Sequence, residues 1–235
     1  MIPDRYAILK KIKSLAIPVG ATYLSGSLDI PSATVGRILS RLEADGLLEK
    51  VSNKGRVLTP KGRDFISEQE LVRSKKKTVD SLIRLTEDTP RERLLEIMQV
   101  REMLECHSAA LACTNGTEED LQELNRIMLE YLYELRGGGM GNEQDLRLHL
   151  KIAQMSGNQT VLQLLKLILV KDNAYTRFSS APDSIDHGRL EMHNRIVEAI
   201  NRRNPDDAAG AMKAHLQQVI GDIAASKEPG PAQSR

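Results

Sequence analysis

The chain has 235 residues, 40% of them hydrophobic and 28% charged, with a formal net charge of +1. That is enough apolar material for a sizeable core and enough length for one large domain or two ordinary ones. The run from Val161 to Val170 is too short and interrupted to span a bilayer, and MIPDRYAILKK lacks the charged-then-apolar pattern of a signal peptide. The expected setting is therefore cytoplasmic, with no membrane partner.

Aromatic residues make up 3% of the chain, while Leu, Ile, Ala and Met are plentiful, a bias toward helices packed on helices. Cys106 and Cys113 are the only cysteines, and their spacing fits neither a CxxC redox site nor a zinc finger. Both read as buried thiols in a reducing compartment. The small net charge hides an asymmetry. Residues 1–77 hold 15 Lys/Arg against 8 Asp/Glu, whereas the other 158 hold 18 against 24. A basic module followed by an acidic one implies two jobs, the first directed at a polyanion.

Residues 6–15 carry Ile8, Leu9, Ile12 and Leu15 at helical spacing, and Pro18 and Gly20 end the stripe. A short helix over 21–28 follows, then a turn at Asp29-Ile30-Pro31, with Ser32 as the expected N-cap of the next helix. That helix, residues 33–45, sets Val35, Ile38, Leu39 and Leu42 on one face and Thr34, Arg37 and Arg41 on the other; Gly46 stops it. Two short β-like runs, 47–51 and 56–59, flank Ser52-Asn53-Lys54-Gly55 and predict a hairpin.

Helix, short helix, turn, helix and hairpin is the order of a winged helix-turn-helix, and the stretch SATVGRILSRLEADGLLEK resembles the recognition helix of bacterial winged-helix repressors. The implied partner is a double-stranded DNA operator. Arg37 and Arg41 would read base edges in the major groove, and Ser32 and Thr34 would touch phosphate or base. Lys54 and Arg56, at the expected wing tip, would neutralise backbone. A solvated basic face, or a winged helix used for protein contacts, is the plainer alternative.

Residues 68–90 have partial helical periodicity (Leu71, Val79, Leu82, Ile83) and predict a helical connector ending near Thr89-Pro90. Only helical patterns follow: 91–114, 117–136, 143–158, 159–178, 183–202 and 206–225, with a tail over 227–235 predicted to be disordered. Thr117 opens the second of these as an N-cap followed by acids. The glycine-rich stretch 137–141 follows a helix rather than a strand and is read as a flexible connection, not a phosphate cradle. In the third helix, Asp145 and His149 stand one turn apart on one face. Taken alone, such a pair is more often an ordinary ion pair than half of a metal site.

Residues 94–220 resemble the FadR-type C-terminal (FCD) effector domain of the GntR superfamily. Four passages carry the resemblance: V-R-E-M-L-E at 100–105, D-L-R-L-H with S-G-N within 145–158, M-H-N-R-I-V-E-A-I at 192–200 and A-G-A-M-K-A-H-L at 209–216. The resemblance implies an all-helical antiparallel bundle in which Asp145, His149, His193 and His215 converge on one divalent ion. Three imidazoles and a carboxylate suit zinc, nickel, manganese or iron alike. It also places Arg101 and Asn158 near a small carboxylate effector, with a salt bridge to Glu105 as the alternative for Arg101 and helix capping for Asn158. Two departures from the family pattern stand out. Leu148 replaces the usual aromatic before the second ligand, and the N-terminal module lacks the family's usual P-S-E-R-x-L-A passage, which puts any inherited operator sequence in doubt.

The expected protein is mostly α. It has a winged helix-turn-helix domain over 1–67, a helical connector over 68–90 and a metal- and effector-binding bundle over 91–226. The expected function is that of a homodimeric, ligand-responsive transcriptional regulator, a repressor rather than an enzyme, with no catalytic residues. Two alternatives stay open: a metal-dependent hydrolase fused to a DNA-binding head, and a bundle whose metal is structural or absent and which serves only to dimerise.

Overall fold

The first apolar stripe becomes helix α1 (Arg5–Leu15) of the computed structural model, burying Tyr6, Ile8, Leu9 and Ile12. The structure describes residues 5–86, 90–169 and 187–225, apart from the side chain of His187. It divides into two compact units, residues 1–80 and 81–235.

In the first unit, α1 is followed by α2 (Ala21–Leu28) and α3 (Ser32–Ala44). Asp29, at φ 53°, closes α2 in the left-handed conformation, which a short polar side chain tolerates. Ser32 does not cap α3. Pro31 occupies the cap position and Ser32 is already helical, so the expected serine cap is corrected. Proline needs no N–H there and its fixed φ leads the chain into the helix. At the other end, Leu47 N–H bonds Leu42 O and Gly46 N–H bonds Glu43 O, both at 2.9 Å, with Gly46 at φ 73°. This is a Schellman closure, and it explains why the helix stops at a glycine.

Strands β1 (Leu48–Val51) and β2 (Gly55–Leu58) pair antiparallel, Leu48 opposite Leu58 and Val51 opposite Gly55. The hairpin gains a third, one-residue rung: Val19 and Arg56 exchange two backbone hydrogen bonds at 3.0 Å. Gly55 makes this approach possible, since its φ is 124° and a Cβ there would run into the Val19 backbone. The unit's core gathers Ile8, Leu9, Leu24, Val35, Leu39, Leu42 and Ile66.

Helix α4 (Pro60–Thr86) is one continuous element of 27 residues, so the segment expected as a connector from residue 68 is the second half of a helix that starts at the wing. Thr59 caps it, accepting from Gly62 N–H at 3.0 Å, and Pro60 fills the first position. The division between the two units falls within this helix.

The second unit holds α5 (Arg91–Asn115), α6 (Glu118–Arg136), α7 (Asn142–Met155), α8 (Gln159–Ile168), α9 (His187–Asn201) and α10 (Pro205–Ala225). Together they form an all-α antiparallel bundle. α10 packs along α5 and α9, while α7 lies against α5 and α6. Met98, Leu124, Leu148, Ile152, Ile196, Ile200, Met212 and Leu216 fill the centre with at most 1% exposure. A smaller cluster of Val161, Leu162, Leu165 and Leu169 seats α8 beside Leu104, Leu146 and Leu150.

Thr117 and Asp120 form a reciprocal capping box on α6, and Asp120 also meets Lys151 of α7 at 2.8 Å. The expected helix over 159–178 ends at Ile168 as far as it is described; its remainder, the start of the 183–202 helix and the tail at 227–235 lie outside the described residues. Of the cysteines, Cys113 is buried but Cys106 only half so, and burial with Glu102 and Glu105 nearby pushes the Cys106 thiol up to about 11. No described helix is long and apolar enough to cross a membrane.

Candidate metal centre

Three helices each bring imidazole into an otherwise apolar lattice. On α7, Leu148, Ile152, Ala153 and Met155 anchor the buried face, and this turns His149 inward with Asp145 one turn before it. On α9, buried Ile196, Val197 and Ile200 continue the face that carries His193. On α10, Met212 and Leu216 bracket His215. The three imidazoles are 0–3% exposed. Ring centroids lie 4.3 Å apart for His193 and His215, 5.2 Å for His149 and His215 and 5.5 Å for His149 and His193. One donor atom from each imidazole and from the Asp145 carboxylate fall within 4.8 Å of one another.

The hydrogen bonds around the cluster fix the role of Nδ1 in two of the rings. His193 Nδ1 lies 2.9 Å from Arg189 O, and a carbonyl can only accept, so Nδ1 donates. His149 Nδ1 faces the Glu105 carboxylate and donates likewise. The Nε2 atoms of both rings then face the cluster, and both are buried without a hydrogen-bond partner. Asp145 Oδ1 approaches His193 Nε2 to 2.9 Å without hydrogen-bond geometry and His149 Nε2 to 3.9 Å. Burial pushes the Asp145 carboxyl up, but contact with His193 and the charges that neighbouring imidazoles can carry hold it well below its ordinary range. His215 is pushed well below the ordinary imidazole range by burial, then by His193 and His149, and stays neutral.

Inward-facing nitrogens beside a carboxylate need a positive charge between them. A proton on His193 would serve one pair and leave His149 Nε2 unserved. One divalent cation would be held by Asp145, His149, His193 and His215 together, and imidazole with carboxylate is a borderline donor set that suits it. The residues present therefore fit such an ion.

Behind His149 stands a group that sequence reasoning assigned only to Arg101. Glu105 is 1% exposed; its Oε1 accepts from Arg101 Nε at 2.6 Å and its Oε2 meets His149 Nδ1. Burial pushes Glu105 up, yet Arg101 and then His149 hold it at about 2. The i,i+4 spacing of Arg101 and Glu105 is visible in the sequence, but the link to His149, 44 positions on, is not. Asn158, expected near the effector, caps α8 by accepting from Val161 N–H at 3.2 Å. A cleft of 190 Å³ opens between α9 and α10, lined by Arg189, Met192, His215, Gln218 and Asp222 among others.

In the N-terminal unit Ser32, Arg37 and Arg41 are exposed on α3 and Thr34 is half-buried, with Arg37 Nη2 donating to Thr34 Oγ1 at 3.3 Å. Lys54 is exposed in the hairpin loop. Arg56 is not at the tip: it lies in β2, and its Nε pairs with Glu43 of α3 at 2.8 Å. The backbone bonds to Val19 hold it one rung in from the loop, in a bridge that alternation within two strands does not disclose.

A winged helix-turn-helix head and an all-helical bundle with three buried histidines around a partly exposed aspartate define a class of two-part regulators. Residues 96–218 match the FCD domain, and the chain belongs to that family, among the GntR-type DNA-binding transcriptional regulators. It is 28% identical over 202 residues to the HTH-type transcriptional regulator LutR of Bacillus subtilis (strain 168), covering 83% of this chain and 86% of LutR. Over 126 residues it is 26% identical to the HTH-type transcriptional repressor NanR of Cronobacter sakazakii, 52% of this chain and 48% of NanR. The solved structure of E. coli McbR/YncC shares the fold with a TM-score of 0.53 at 16% identity, over 95% of this chain and 98% of that one.

Proposed function

We propose that this chain is a cytoplasmic, homodimeric transcriptional repressor that senses a small organic acid through a divalent ion held by Asp145, His149, His193 and His215. The observation that carries the reading is the pair of buried, unsatisfied Nε2 atoms facing the Asp145 carboxylate. A bound ion would supply a Lewis-acidic contact for a carboxylate oxygen of the effector. Zinc, nickel, manganese and iron all match the donors.

The cleft beside His215 supports the sensing role, because its 190 Å³ suits an acid of a few carbons and its wall includes one of the four donors. Residues 1–67 act as the DNA-binding head, 68–90 as the connector and 91–226 as the sensor. Arg37 and Arg41 reach base edges, and Ser32, Thr34 and Lys54 reach the backbone or adjoining base. An acid that binds one bundle state better than another changes the population of head arrangements, and hence operator affinity. NanR, to which half the chain is similar, is named a repressor, which supports that sign.

A thermal-shift screen of small carboxylates, run with each of the four ions, tests this directly. A specific acid raises Tm only in a metal-loaded sample and then weakens operator binding in a fluorescence-anisotropy titration. If no acid shifts Tm with any ion, the sensing role falls.

A further inference from the structure

We propose that Glu105 is the positioning residue of the centre: its carboxylate, anchored by Arg101, fixes the tautomer and orientation of His149 and so aims that ring's Nε2 at the ion. The inference rests on the metal reading above and assigns a role to a side chain outside the four donors.

Glu105 sits on α5 and is divided between two partners. Oε1 takes the Arg101 N–H at 2.6 Å, and Oε2 takes the His149 Nδ1–H. Glu105 and Arg101 are 1% and 4% exposed, inside a bundle otherwise filled by Leu, Ile and Met. A buried ion pair is a poor way to stabilise a core, since desolvation offsets most of the attraction. Its third member here is a candidate ligand, and a carboxylate behind a ligating imidazole is what sets ring orientation and basicity in metal sites. His193 is oriented by the Arg189 main-chain carbonyl, a partner that substitution at residue 189 leaves in place. His149 depends on a side chain, so its control can be altered.

The near-isosteric Glu105→Gln exchange makes the prediction sharp. Arg101 can only donate, so the amide oxygen turns to the guanidinium. The amide NH2 then faces His149 Nδ1, which must accept, and the ring proton moves to Nε2. That atom is the one aimed at the other three donors.

The experiment has two readouts. Long-range 1H–15N correlation on the metal-free protein reports the His149 tautomer: Nδ1–H is expected in the wild type and Nε2–H in Glu105→Gln. Competition with a chromophoric chelator reports the affinity for Zn(II) and Ni(II), which should fall by about 10–100-fold in the variant. Wild-type protein that binds neither Zn(II) nor Ni(II) sinks the metal reading for those ions, and the tautomer result then stands alone as the test of Glu105. An unchanged tautomer in the variant overturns the inference, even where the ion binds more weakly. Should Glu105→Gln fail to fold, the metal-free wild type decides, because Nε2–H on His149 there is incompatible with a positioning Glu105.

Discussion

His193 Nε2 stands 2.9 Å from Asp145 Oδ1, the imidazole fully buried and the carboxylate partly open to solvent, while Nδ1 of the same ring donates to Arg189 O. Atoms held at that distance need a proton or a metal cation between them. A divalent ion in that place would also serve the buried Nε2 of His149, and this sets the first expectation.

Removing divalent ions with a chelator should lower Tm. With free ion at about 100 times Kd, binding contributes about 2.7 kcal/mol, which for a chain of this size is about 5–11 °C. His193→Ala should abolish the chelator-sensitive part of the transition and the bound metal found by elemental analysis. Equal Tm with and without chelator would remove the centre from the account.

Operator recognition rests on the exposed face of α3. Arg37→Ala and Arg41→Ala should each weaken specific binding by about 1–3 kcal/mol and relax preference at one base pair, while size-exclusion profiles stay those of the native oligomer. Lys54→Ala should instead weaken binding to all sequences and reduce the slope of log K against log salt by about 1. Unchanged operator affinity in both arginine variants means that α3 is not the reading helix.

Gly55→Ala tests the third rung of the wing. The new methyl meets the Val19 backbone and the residue must hold φ 124°, so urea unfolding should show a loss of about 1–3 kcal/mol. Stability within a few tenths of the wild type would show that the Val19 bridge does not hold the hairpin.

Asp120 joins the cap of α6 to Lys151 of α7, and hydrogen bonding to Lys151, then to the Thr117 backbone, holds its carboxyl below the ordinary range. A carboxyl lowered in the folded state contributes stability that is complete above its unfolded value, near 3.8, and is lost as pH falls below it. Asp120→Ala should therefore destabilise the protein by about 1–2 kcal/mol at neutral pH and have progressively less effect in acid. A difference that stays constant down to pH 2 would contradict this assignment.

Local periodicity and end signals were enough to determine α1 to α3, α5 to α7 and α10, the order that makes a winged helix and the cap at Thr117, because each depends on residues within one or two turns of each other; that α4 starts at Pro60 was not among them. The i,i+4 placement of Asp145 and His149 was legible for the same reason. That His193 and His215 join them followed from resemblance to a family, not from spacing. Tertiary structure alone decided that the four donors face one another, that Glu105 of α5 backs His149 of α7 and that Arg56 turns to Glu43 instead of the wing tip. Helical and strand periods say which face of an element is apolar. Which faces meet, and which buried lone pairs are left without a proton, is settled only when elements 40 or more residues apart pack together.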